Sequence, residues 1–109
     1  MTLDELDAYI EERDTIHRAG GALSDRERIL LRTVKVMEEM GELSDEILAE
    51  LGHQRAAKLD ARAPDALSDE LADTIITIFL LAKALKVNVS EALEKKMKKI
   101  SERTATYPF

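Results

Sequence analysis

The chain has 109 residues, with 16 Lys and Arg against 22 Asp and Glu, for a formal net charge of −6. A hydrophobic fraction of 45% is that of one ordinary globular domain rather than a disordered segment. The acidic balance and 4% aromatic content exclude a basic nucleic-acid-binding module, and the absence of Cys excludes a disulfide scaffold, a Cys-ligated zinc site and a thiol nucleophile.

Scarce glycine and proline divide what remains into helical segments. The opening MTLDELDAY is acidic and has no basic stretch leading into an apolar core, so no signal peptide is expected and the protein is placed in the cytoplasm. Helix one is expected over about Leu3 to His17, with Leu3, Leu6, Tyr9, Ile10 and Ile16 as apolar positions. Its pattern is the weakest of the set. Helix two opens at Ser24, where Glu27 three residues on completes a capping box. It carries Ile29, Val36, Met40, Leu43, Ile47 and Leu51 on one arc and stops at Gly52. Residues 52 to about 66 are polar and aperiodic, which predicts a loop. Helix three runs from Asp65 or Ser68 to Leu85 and is apolar on most sides, which predicts burial. Its apolar run from Ile75, broken by Thr77 and Lys83, is too short to span a bilayer, so no membrane partner is expected. Asn88 and Glu91 repeat the capping-box spacing and open helix four, and the tail TATYPF leaves it.

The fold class is therefore all-α: a four- to five-helix chain forming one domain over residues 1–109, with a core over 24–103 and a tail over 104–109. A chain this short buries a limited share of its surface. Helix three is too apolar for one layer of partners to cover, so a bundle completed by a homodimer or homotetramer is expected.

At about 100° per residue, Glu39 and Glu42 fall on one stripe of helix two bordering its apolar arc, and Glu70 and Asp73 begin the single polar strip of helix three. A carboxylate on a mostly buried helix is costly unless its charge is offset, and two on one strip also repel each other. Lys83 lies well down the helix on another side. A hard divalent cation such as Mg²⁺ or Mn²⁺ takes oxygen ligands, and Glu39, Glu42, Glu70 and Asp73 can supply four from two packed helices. The competing reading makes Glu38, Asp45 and Glu46 a solvated face, and Asp69 and Glu70 acids favoured by the dipole at a helix start. Gly41, between Glu39 and Glu42, fits either a close approach to the helix or a tolerated glycine.

Read together, these residues form K-x-x-E-E-x-G-E-L (Lys35, Glu38, Glu39, Gly41, Glu42, Leu43) and, 27 residues after Glu42, E-L-x-D (Glu70, Leu71, Asp73). The pair resembles the EExxE and ExxD hallmark of the MazG-like all-α nucleotide pyrophosphohydrolase family. LAKALKVNVSEAL and the Lys-rich segment ending in TYPF extend the similarity over roughly residues 25 to 109. The resemblance implies Mg²⁺-dependent hydrolysis of a nucleoside triphosphate between its α and β phosphates, with Mn²⁺ a possible substitute. It makes Glu39, Glu42, Glu70 and Asp73 the metal ligands and Glu38 the residue that orients or deprotonates the attacking water. Phosphate contact falls to Lys35, Lys99 and Arg103, each of which can equally belong to a solvated basic face. The family's frequent Asn near the C-terminus is missing from KKISERTATYP, and Tyr107 is read as an anchor of the tail rather than a stacking partner for a base.

A di-iron bundle would need paired Glu-x-x-His motifs on inward faces. Here Glu50 and His53 are separated by Gly52, and Asp14 and His17 lie on the weakest helix. The alternative in another class is a non-catalytic nucleotide- or protein-binding regulatory module, against which the complete acid set argues.

Overall fold

Capping chemistry sets the helix boundaries. In the computed structural model, which describes residues 1–103, Thr2 caps α1 (Leu3–Ala19) through a capping box: its hydroxyl accepts from the Glu5 N–H and the Glu5 carboxylate accepts from its own N–H, both at 3.1 Å. The weakest helix of the sequence reading is thus fully formed. Ser24 and Glu27 make the expected box at the start of α2 (Asp25–Glu50). At its end Gly52 adopts φ 77°, its N–H donates to the Ala49 carbonyl, and the His53 N–H donates to the Leu48 carbonyl, which is a Schellman closure.

The expected loop over 52–66 contains a short helix, α3 (Ala56–Asp60). Ion pairs fasten this connection to α2 where periodicity gave no signal. Lys58 meets Asp45 at 3.0 Å, and Arg62 meets Glu46 and Glu50, each at 2.8 Å. The connection leads into α4 (Ala66–Ala84), which closes on Lys86 at φ 58° with the same pair of reverse hydrogen bonds as α2. In α5 (Val89–Glu102) Asn88 accepts from the Glu91 N–H at 3.0 Å, half of the expected box. Among the described residues there is no strand. The tail from Thr104 onward, including Tyr107, lies outside the described residues.

The main contact joins α2 to α4, and α1 lies against α4. The two long helices run antiparallel: Glu39 faces Thr74, while Arg32 and Lys35 share a cavity with Thr77 and Leu80. Lys83, near the end of α4, ties α1 down through Glu11 at 2.8 Å and Asp7 at 3.3 Å. α5 makes no extensive contact with another helix.

Burial within one chain is sparse. Within the single chain α4 is not covered: Thr74 and Leu80 are buried, but Leu71, Ile75, Ile78 and Leu85 are exposed. Only three apolar residues of the described chain, Ile10, Ala49 and Leu80, are buried. Among the described residues no helix is long and apolar enough to cross a membrane.

Candidate metal centre

Five carboxylates converge where α2 crosses α4. Glu38, Glu39 and Glu42 lie on consecutive turns of α2 and can bring one oxygen each within 4.8 Å of one another; Glu39, Glu70 and Asp73 do the same across the two helices. Glu39 belongs to both groups and joins them. Close helix approach at this level comes from Thr74, a buried small residue whose hydroxyl donates to the Glu70 carbonyl at 2.8 Å and lies 3.4 Å from the carbonyl of Glu39.

Burial divides the five. Glu38, Glu42 and Asp73 are exposed, whereas Glu39 and Glu70 are half-buried. One oxygen of each, Oε2, is sealed from solvent with no hydrogen-bond partner. Buried polar atoms are rarely left in that state. The electrostatics agree. Burial first, then the charges of Glu42, Glu39 and Asp73, push the Glu70 carboxyl up to about 7. Burial, followed by Glu42 and Asp73, raises Glu39 as well. Among the described residues no lysine or arginine is ion-paired with Glu39, Glu42, Glu70 or Asp73. Two orphaned buried oxygens in an all-carboxylate set match what a hard divalent cation requires, and both metal-competent groups among the described residues lie here.

Residues 31–106 match the MazG-like family. The chain belongs to that family. The matched segment covers all five acids of the two motifs, while α1 and the first six residues of α2 precede it. Searches of curated proteins and of solved structures found no match.

Against this MazG-like frame the sequence-predicted residues divide clearly. Glu38, Glu39, Glu42, Glu70 and Asp73 are brought together. Lys35 is beside them, its ammonium 3.2 Å from Glu38. Lys99 and Arg103 lie at the far end of α5 and do not line the cavity that reaches Glu39. Asp45 and Glu46 hold the α3 connection instead of forming a free solvated face. Asp14 and His17 form no metal pair, because Asp14 is buried against Arg32 at 2.9 Å and His17 lies 3.4 Å from the same guanidinium. Glu50 is committed to Arg62. A Cβ on Gly41 would meet nothing within 4 Å, so no close approach inside the chain demands the glycine.

Sequence reasoning missed Arg28, Arg32 and His17, which wall the cavity next to the acids. Their signal was available: Arg28, Arg32 and Lys35 follow i, i+4, i+7 spacing and share one face of α2.

Proposed function

We propose that the protein is a Mg²⁺-dependent nucleoside triphosphate pyrophosphohydrolase that adds water across the α–β phosphoanhydride and releases a nucleoside monophosphate and pyrophosphate. The observation that carries this reading is the pair of sealed, unpartnered oxygens on Glu39 and Glu70, at the motif positions of a MazG-like chain. Glu39, Glu42, Glu70 and Asp73 would hold the ion, which when bound neutralises charge on the phosphates and lets an acidic site accept a polyanion. Glu38, exposed at the edge of the cluster, orients the attacking water and takes its proton. Lys35 shifts between Glu38 and a phosphate oxygen, for which its ammonium already points towards the cluster. Phosphoryl transfer asks for positioning and charge neutralisation more than covalent help, and a carboxylate set on two rigid helices supplies both.

The catalytic unit is a homodimer in this reading. The chain exposes 8261 Å². A compact monomer of 12.2 kDa exposes about 6,000 Å². The excess is of the size an obligate dimer buries per subunit, roughly 1,000–2,500 Å². It is also ordered. Leu30, Val34, Met37, Gly41, Leu48 and Leu51 follow heptad spacing along the outside of α2, and Leu71, Ile75, Ile78 and Leu85 do so along α4, all of them exposed. Gly41 in the middle of the α2 stripe leaves room for a second helix.

Pyrophosphate release from a panel of standard and modified nucleoside triphosphates, with Mg²⁺ or Mn²⁺, tests the activity. Turnover of at least one nucleotide is expected; none with either metal would replace the enzyme reading by a binding module. Light scattering tests the assembly, with a dimer mass expected for the native chain and a monomer for Met37→Glu.

A further inference from the structure

Next to the acid cluster is a cavity whose charge has the opposite sign. Four polar residues of the described chain are buried, and three of them belong to the corner where α1 reaches α2: Asp14 pairs with Arg32, and Arg32 lines one cavity with Arg28. Two guanidiniums are thus enclosed with one carboxylate. Asp14 is used by Arg32 at 2.9 Å. Arg28, 8% exposed, reaches the exposed Asp25 only at 3.8 Å. Arg32, also 8% exposed, keeps a sealed Nε–H with no acceptor. An enclosed cation in excess of its carboxylates is as costly as an enclosed anion, and both costs vanish when the complementary charge arrives.

That charge has a place to go. A cavity of about 270 Å³ is walled by His17, Arg28, Arg32 and Lys35, with Leu23 and Leu31 as its apolar floor. A second cavity, of about 150 Å³, shares His17, Arg32 and Lys35 and continues to Glu39. At 1.5 Å per residue, Arg32 is about 10 Å and Lys35 about 6 Å along α2 from Glu39, which is within the reach of long side chains for one extended polyphosphate. Guanidinium groups bind phosphate oxygens through a planar two-pronged donor set that matches them.

We propose that the cavity formed by His17, Arg28, Arg32 and Lys35 is an anion subsite for the phosphates remote from the reacting one, so that the pyrophosphate half of a triphosphate lies on the α1–α2 corner while the α phosphate lies at the acids. The identity of the anion rests on the hydrolase reading; the existence of the subsite does not. The nucleoside is thereby directed away from this corner.

Calorimetric titration of inorganic pyrophosphate into the full chain, with divalent metal removed by chelation, tests the subsite apart from turnover. Native protein and Glu39→Gln should bind it alike. Arg28→Gln, and Arg32→Lys, which keeps the charge facing Asp14 but loses the fork, should each bind it about tenfold more weakly, as the loss of a charge-assisted hydrogen bond requires, with circular dichroism showing both folded. Absence of binding to the metal-free native chain overturns the subsite, as does binding that needs Mg²⁺ and disappears in Glu39→Gln. Uncharged adenosine or uridine binding in a manner sensitive to Arg28→Gln, in place of pyrophosphate, would make the corner a nucleobase slot and equally overturn it. Retained pyrophosphate binding in a chain that hydrolyses no nucleotide would remove the proposed function and leave the subsite standing.

Discussion

The α1–α2 corner and the α2–α4 crossing bury charge on the same helix, less than three turns apart, and treat it differently. At the corner Asp14 and Arg32 meet at 2.9 Å, His17 is beside them, and Arg18 adds a contact with Asp14 at 3.7 Å. Charge there is matched in part within the chain: Asp14 joins α1 to α2 through Arg32, while Arg28 has only the exposed Asp25 at 3.8 Å. At the crossing Glu39 and Glu70 each keep a sealed oxygen, and both lie among further acids without a paired cation from the described residues. The difference separates charge that the chain partly answers for itself from charge that it leaves wholly to an outside partner. A chain has every means to place a lysine at such a crossing, as Lys83 shows where it holds two carboxylates of α1. Leaving like charges unmatched costs folding stability and makes sense where something outside the chain completes the site.

Substitutions that act oppositely in the two regions break or sharpen this contrast. The largest effect is expected on turnover. Glu39→Gln or Asp73→Asn should lower pyrophosphate release at least ~1,000-fold, since ion-mediated charge stabilisation is worth several kcal/mol, while the melting temperature of the metal-free chain stays level or rises. A fall in both would make these acids structural. At the corner the expectation reverses. Asp14→Ala leaves Arg32 enclosed without its carboxylate and should cost about 3 kcal/mol in urea unfolding. A loss below about 0.5 kcal/mol would place that pair among surface ion pairs of little consequence.

The same contrast explains what the sequence made legible. Ser24 with Glu27, the stop at Gly52 and the spacing of Glu39, Glu42, Glu70 and Asp73 are local or helical-period signals, and each of them is present as expected. The α3 connection was not legible, because Lys58 and Arg62 find Asp45, Glu46 and Glu50 only after the chain has turned back. The strength of α1 went unread because its cap, Thr2 with Glu5, precedes an apolar pattern too thin to attract notice. Arg28 and Arg32 were passed over because a basic residue on a helix is usually solvated; their burial arises only in the fold, where Arg32 pairs with Asp14, 18 residues away. The apolarity of α4 on most sides was legible, and so was the expectation that one chain would not cover it; Leu71, Ile75, Ile78 and Leu85 are indeed exposed.

The smallest effect concerns pH and falls at the crossing. Glu70 is pushed up to about 7 by burial and then by Glu42, Glu39 and Asp73, from an ordinary value of 4.5 that the unfolded chain retains. Between those values the folded chain binds more protons than the unfolded one, so stability falls as pH rises through that window and the penalty is complete above about 7. A divalent cation competes with that proton. The melting temperature of the metal-free chain should therefore drop by a few degrees from pH 5 to pH 8, the size that one titrating group produces in a domain this small. Mg²⁺ should add little at the acid end of that range and most at the alkaline end. Glu70→Gln should flatten the metal-free profile, because an amide has no proton to lose, and should also reduce the Mg²⁺ increment. An increment of equal size at both ends of the range would put the ion away from Glu70, and the unmatched charge at the crossing would then need a different partner.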